Sequence, residues 1–317
     1  MRTLSPLAFA VVLLLATLAG GCAGASDVDG GESASETSTS EAPDAASAEE
    51  PSTVSLSYVD DMAAAHEGDA PEPSPLVRTP EAAISSGSVT YKTTDDGDVW
   101  NGHYAGLDDD DHWKPAVVLI HEWWGLNENI RRMAEQIASR GYQVLAVDLY
   151  EGAITSDPER AASLMQNAMD RPEVLHAHLQ AAREYLSETR NAPRVAVMGW
   201  CFGGHWALQA ALEAPDSWDG TVIYYGSVEE ADEEAVAALN MPVLGIFGGA
   251  DESIPVPTVE AFADQLERGN VPADIRIYEG ADHAFASPSG SRYAPKAAED
   301  AWERTLAFLD STLRAGK

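Results

Sequence analysis

The stretch Val195-Ala196-Val197-Met198-Gly199-Trp200-Cys201-Phe202-Gly203-Gly204 reads as a buried strand, a tight turn with a cysteine at its apex, and the start of a helix. It has the form Gly-x-nucleophile-x-Gly, with Cys where the commonest versions carry Ser. The nucleophile of such an elbow sits in a strained turn, and a Cβ at either flanking position would collide with the neighbouring strand or helix. The helix N-terminus behind it offers backbone N–H groups and positive potential, which lower a thiol pKa and stabilise an oxyanion. A small buried cysteine in a Gly-rich turn would look the same in isolation, so its partners decide.

Two partners follow in the order that the elbow requires. Asp251 comes after the apolar run Val243–Phe247 and Gly248-Gly249-Ala250, and His283 comes after the run Asp274–Tyr278, within Gly280-Ala281-Asp282-His283. Nucleophile, acid and histidine in that chain order, each after its own strand, form a candidate Cys201–His283–Asp251 triad. His283 would move the proton, and Asp251 would orient the ring and stabilise its charged form.

Outward from these residues, strands and helices alternate. Ala116–Ile120 and Val144–Val147 are continuous apolar runs, as expected for strands covered on both faces. Thr221–Tyr225 is a further strand, and Ser88–Tyr91 with Val99–His103 forms a hairpin around Asp96-Gly97. Asn127 can cap a helix with the apolar stripe Ile130, Met133, Ala134, Ile137 and Ala138. Asp157-Pro158 and Pro172 open two more, the second running to about Glu188, and others are expected from about Gly203, near 230–239, near 257–268 and from about 294 to 314. The alternation predicts an α/β fold with one doubly wound, mostly parallel sheet and a single catalytic domain over 76–317.

The chain resembles the dienelactone hydrolase family of α/β hydrolases from about Gly87 to Leu313. The resemblance rests on His121-Glu122-Trp123-Trp124-Gly125-Leu126-Asn127, Asp148-Leu149-Tyr150, the Cys201 elbow, Tyr224-Tyr225-Gly226, Gly248-Gly249-Ala250-Asp251 and Gly280-Ala281-Asp282-His283-Ala284-Phe285. It implies that Glu122 contacts the resting thiol and helps to form the thiolate. It also implies that the backbone N–H groups of Trp123 and Phe202 stabilise the oxyanion. The sequence departs from the family where substrate carboxylates are bound. Ser287 stands in place of an arginine, Ala284 in place of a serine, and Pro158 and Ala162 near the places of a further arginine and a tyrosine, although Arg160 is close. The chemical machinery is present and the anchor for an anionic substrate is not.

The N-terminus has another character. Arg2, an apolar run from Pro6 to Ala19 and the sequence Leu18-Ala19-Gly20-Gly21-Cys22 resemble a secretory signal over 1–22 with a bacterial lipoprotein cleavage box. A lipid on Cys22 would anchor the mature protein to a membrane after export across the inner membrane, at the periplasmic or outer-membrane face. Ordinary signal cleavage nearby, with Cys22 unused or removed, is the alternative. Residues 23–75 hold 13 acidic and no basic side chains. They read as an acidic disordered linker, within which Tyr58–His66 could form a short helix docked on the domain.

Acidity extends beyond that segment. The 317 residues carry 52 Asp+Glu against 19 Lys+Arg, a net charge of −33, and only four of the cations are Lys. Such a surface would repel nucleic acid and suits concentrated salt, where screening mutes self-repulsion; a merely acidic surface is the plainer reading. Two cysteines exclude a disulfide framework. Asp108–Asp111 with His112 reads as a solvated acidic loop, and His66, His103, His176, His178 and His205 form no metal spacing. Trp123, Trp124, Trp200 and Tyr225 are candidates to line the pocket.

These features describe a monomeric hydrolase of activated carboxylic esters or lactones, needing no metal or organic cofactor. The alternatives are a thioesterase of the same fold and a non-catalytic surface lipoprotein that keeps a hydrolase fold.

Overall fold

A computed structural model of the chain describes residues 56–71, 80, 82–109, 113–229, 231–287 and 292–314. The expected signal segment 1–22 and Cys22 lie outside the described residues, as do 23–55 and 72–75 of the expected linker and 110–112 of the acidic loop.

In chain order the elements are α1 (Leu56–Ala65), β1 (Ile84–Thr93), β2 (Val99–Leu107), β3 (Ala116–Ile120), α2 (Glu128–Ala138) and β4 (Gln143–Val147). There follow α3 (Pro158–Met169), α4 (Pro172–Glu184) with a π-helical turn Tyr185–Thr189, β5 (Val195–Trp200) and α5 (Phe202–Glu213). The last are β6 (Gly220–Tyr224), α6 (Glu233–Ala237), β7 (Val243–Gly248), α7 (Val256–Arg268), β8 (Ala273–Tyr278) and α8 (Pro295–Leu313). The eight strands form one sheet in the order β1-β2-β4-β3-β5-β6-β7-β8. The β1–β2 and β2–β4 pairs are antiparallel, and every other pair is parallel. This is the α/β-hydrolase arrangement that the alternation predicts.

Burial follows from the crossovers. Every residue of β3, β4, β5, β6 and β7 is buried, because helices cover both faces, while the edge strand β8 keeps partly exposed positions. Asn127 caps α2 by accepting from the Ile130 N–H at 3.1 Å, and Asp157 caps α3 by accepting from the Arg160 N–H at 2.9 Å. The helix expected near 230–239 is shorter. Asp232 accepts from the Glu234 and Ala235 N–H groups, so its first turn begins at Glu233.

The short helix expected at Tyr58–His66 is present as α1, Leu56–Ala65, packed on α3. Val59 and Met62 are buried there, so two apolar side chains within an otherwise acidic segment find a place on the body.

The parallel strands all point their C-terminal ends to one edge of the sheet, where α/β proteins place their sites. Glu122 follows β3, Cys201 follows β5, Asp251 follows β7 and His283 follows β8.

Candidate active site

The elbow is built by its glycines. A Cβ on Gly199 would lie 2.3 Å from the Gly203 carbonyl oxygen, and one on Gly203 would lie 2.5 Å from that of Ile120. Close approach of β5, α5 and β3 therefore needs glycine at both places. The apex, Cys201, has φ 53° and ψ −117°, a conformation costing on the order of 1–3 kcal/mol in a non-glycine residue. Its N–H is held by the Tyr224 carbonyl at 2.9 Å. Phe202 is the first residue of α5, so its N–H lies in the turn that has no intrahelical acceptor.

Asp251 and His283 meet as the sequence expects. The Nδ1–H of His283 donates to Asp251 Oδ2 at 2.8 Å, and both side chains are buried. Asp251 Oδ1 accepts from the Ser253 and Ile254 N–H groups at 2.9 and 3.0 Å, which fixes the carboxylate. His283 Nε2 is buried, and a ring nitrogen of His283 and Cys201 Sγ lie within 4.8 Å of each other. Burial alone would lower the His283 pKa; the charge of Cys201, hydrogen bonding to Asp251 and Cys201, and the charge of Asp251 together outweigh it and raise it to about 10.

The loop after β3 is anchored by His121. Its Nε2 accepts from the Leu149 N–H at 3.2 Å, which places the ring proton on Nδ1, donating to the Glu122 carbonyl at 2.6 Å. This ties the backbone of Glu122 and Trp123 to the Asp148-Leu149-Tyr150 segment. Ser287, at the place of the missing arginine, is buried and donates to Glu122 Oε2 at 3.4 Å. Glu122 is buried too, and desolvation pushes its pKa up to about 7, against the Ser287 hydrogen bond and the His283 charge. The hydroxyl of Tyr225 is buried nearby with no hydrogen-bond partner among the described residues, and the charges of Glu122 and Cys201 both help burial to raise its pKa.

Linkage gives a testable sign for Glu122. A carboxyl whose folded pKa is raised holds its proton more tightly when folded, so its favourable contribution is complete below about pH 4.5 and lost as pH rises to about 7. Glu122→Gln is therefore expected to raise the melting temperature above pH 7, by up to about 3 kcal/mol of stability, and to change little below about pH 4.5. Calorimetry at the two pH values checks it, and equal shifts at both would rule out a buried charge at this position.

A narrow cleft adjoins Glu122; among the described residues it is lined also by Met133, Trp200, Tyr225 and Ser287 and by no basic side chain. Trp200 and Tyr225 thus line it as the sequence suggests, whereas Trp123 and Trp124 pack beneath a residue that sequence spacing passes over. His66, just past α1, is buried with its ring 4.7 Å from Trp123, 6.1 Å from Trp124 and 5.4 Å from His283. Burial, together with the His283 and Arg292 charges, lowers its pKa well below the usual range. From α1 itself, Met62 Sδ lies 3.8 Å from Cys201 Sγ and accepts from the thiol, and the cysteine is only 1% exposed. Arg292 pairs with Asp69 and reaches His66 Nδ1 at 2.7 Å, holding this segment down. The one signal for these residues in the sequence is the apolar island around Val59 and Met62.

Comparison with known proteins gives a consistent picture. The model of the dienelactone hydrolase family matches residues 103–313. A protein of Salmonella typhimurium named "Putative carboxymethylenebutenolidase" is 32% identical over 259 residues, covering 76% of this chain and 94% of its own length. A protein of the same name from Saccharolobus solfataricus is 32% identical over 233 residues, covering 62% of this chain and 89% of its own. Among solved structures, one named "Putative Dienelactone Hydrolase" from Klebsiella pneumoniae superposes with a TM-score of 0.61 at 28% identity, covering 71% of this chain and 98% of that one.

Proposed function

The chain belongs to the dienelactone hydrolase family, a family of lactone and ester hydrolases, and from that premise we propose that it cleaves activated esters or lactones with a Cys201–His283–Asp251 triad. The carrying observation is the buried Asp251–His283 pair, whose imidazole shares the site with a thiol at a strained elbow. Cys201 attacks the carbonyl carbon, and the N–H groups of Phe202 and Trp123 receive the oxyanion. His283 protonates the leaving oxygen as the tetrahedral intermediate collapses to an acyl-thioester. The ring then takes a proton from water, whose oxygen attacks the thioester and releases acid and thiol. Asp251 holds the ring in the required tautomer throughout. Glu122, titrating near neutrality, is the group suited to accept the thiol proton when substrate arrives.

The cleft supports a neutral acyl group. It is narrow, offers no cation among the described residues and contains the Glu122 carboxyl, so a substrate carboxylate would be desolvated beside a like charge.

An acyl-enzyme can be tested through product partition. Esters of one acid with p-nitrophenol, phenol and thiophenol, hydrolysed in the presence of hydroxylamine, are expected to give one constant ratio of hydroxamate to acid. A ratio that varies with the leaving group would exclude the common intermediate.

The expected N-terminal lipid and saline habit belong to the same proposal. Cys22→Ser is expected to move the protein from the membrane to the soluble fraction, and unchanged partition would contradict anchoring there. Residues 76–317 carry 39 acidic and 18 basic side chains, so screening at molar salt is expected to raise the melting temperature. A flat or falling value would contradict the saline reading.

A further inference from the structure

His66 shares one feature with His283, a carboxylate beside Nδ1, and differs in the Arg292 guanidinium that reaches the same nitrogen. The Nδ1 of His66 lies 3.0 Å from Asp69 Oδ2, as that of His283 lies 2.8 Å from Asp251 Oδ2. Each ring has a buried Nε2. A ring nitrogen of His66, a ring nitrogen of His283 and Cys201 Sγ all lie within 4.8 Å of one another. Two histidines, each with a carboxylate on Nδ1, thus converge on one thiol. Nδ1–H of His283 donates to Asp251, which leaves the lone pair of that ring on Nε2; His66 Nδ1 also meets Arg292 at 2.7 Å, so His66 offers Nε2 to an ion only in the tautomer in which its Nδ1–H donates to Asp69 and Arg292 keeps Asp69 alone.

We propose that His66, Cys201 and His283 form a binding site for Zn2+, and that the bound ion latches the α1 segment over the thiol and stops hydrolysis. Zn2+ takes nitrogen at about 2.0–2.1 Å and thiolate sulfur at about 2.3 Å, so three tetrahedral ligands stand roughly 3.3–3.8 Å apart. The three donors, within 4.8 Å of one another, would have to draw together by up to about 1–1.5 Å to reach that spacing. The carboxylates of Asp69 and Asp251 are the partners that orient imidazole ligands and raise their basicity. Arg292 pairs with Asp69 and offsets one negative charge there; the thiolate and Asp251 remain to balance the ion. Binding forms one Zn–S and two Zn–N bonds and releases the thiol proton to water, with no change of oxidation state. The fourth position is left to water or to the Met62 thioether, which already touches Sγ.

The sequence offers no spacing for such a site, since 134 residues separate His66 from Cys201 and 81 separate Cys201 from His283 (201 − 66 − 1 and 283 − 201 − 1). Two ligands come from the catalytic elbow and its base, and the third from the N-terminal segment. The ion would therefore tie that segment to the body. Binding needs only the three donors and does not depend on the hydrolase reading.

The test is Zn2+ titration of the full chain against a chromogenic chelator, in a non-chelating reductant, with hydrolysis of a p-nitrophenyl ester followed in parallel. The wild type is expected to take up one tight equivalent and to lose activity in proportion, with recovery on addition of EDTA. His66→Ala is expected to bind at least about 100-fold more weakly, and Asp69→Asn about 10-fold more weakly. His66→Cys keeps a zinc donor at the same place and is expected to restore most of the affinity, which separates ligation from mere loosening of α1. Equal affinity in wild type and His66→Ala, or failure of His66→Cys to bind better than His66→Ala, would overturn the site. A protein that shows no tight equivalent would do so equally, while its esterase activity would still stand on its own.

Discussion

Cys201→Ala is expected to lower kcat on a p-nitrophenyl ester by at least about 10⁴-fold while leaving the fold intact. The side chain is small and buried, and alanine fits the space of a cysteine. Stability therefore changes little, but no atom remains to form the acyl bond. Cys201→Ser is expected to retain the fold and lose most of the activity, because a hydroxyl has a far higher pKa than a thiol. The raised pKa of His283 depends on charge at Cys201, so the imidazole loses that support in either variant. Steady-state rates with matched circular dichroism check the result. Activity within a factor of ten in Cys201→Ala would sink the mechanism.

The second large effect concerns the leaving group. Attack by a thiolate gives a tetrahedral intermediate that can expel either sulfur or oxygen. The thiol has a reference pKa of about 8.5. An alkyl alkoxide is a much stronger base, comparable to hydroxide from water at about 15.7. The intermediate formed from an alkyl ester therefore tends to return to substrate unless His283 delivers its proton at once. Aryl esters, enol lactones and thioesters leave as weaker bases and go forward. Activated esters are expected to exceed alkyl esters of equal acyl size by at least about 100-fold in kcat/KM, about 3 kcal/mol in the transition state. Rates on p-nitrophenyl and ethyl esters of one acid decide it. Equal efficiencies would mean that expulsion of the alcohol does not limit this site.

Local chemistry was legible in the sequence wherever it repeats along the chain. Continuous apolar runs marked the central strands, Asn127 and Asp157 marked helix starts, and the glycines around Cys201 marked the elbow. The chain order of Cys201, Asp251 and His283 made their convergence readable, because each follows a strand of one parallel sheet. What could not be read depends on distant packing. Nothing near Ser287 shows that it meets Glu122, 165 positions away. Nor does the sequence around His66 show that its ring stacks on Trp123 beside His283. The apolar Val59 and Met62 hint that α1 docks, but not that it docks over the thiol. A one-dimensional pattern carries the burial of a segment and leaves out the surface it covers.

The central claim is that substrate acyl groups pass through Cys201, and mass spectrometry of the acid-quenched protein tests it most directly. The measurement is made during turnover of an activated ester, in wild type and in His283→Ala, where loss of the base is expected to stall deacylation. The acyl mass is expected on the peptide containing Cys201, at higher occupancy in His283→Ala. An unmodified Cys201 peptide in both proteins, or an acyl group carried by another residue while turnover proceeds, would contradict the claim.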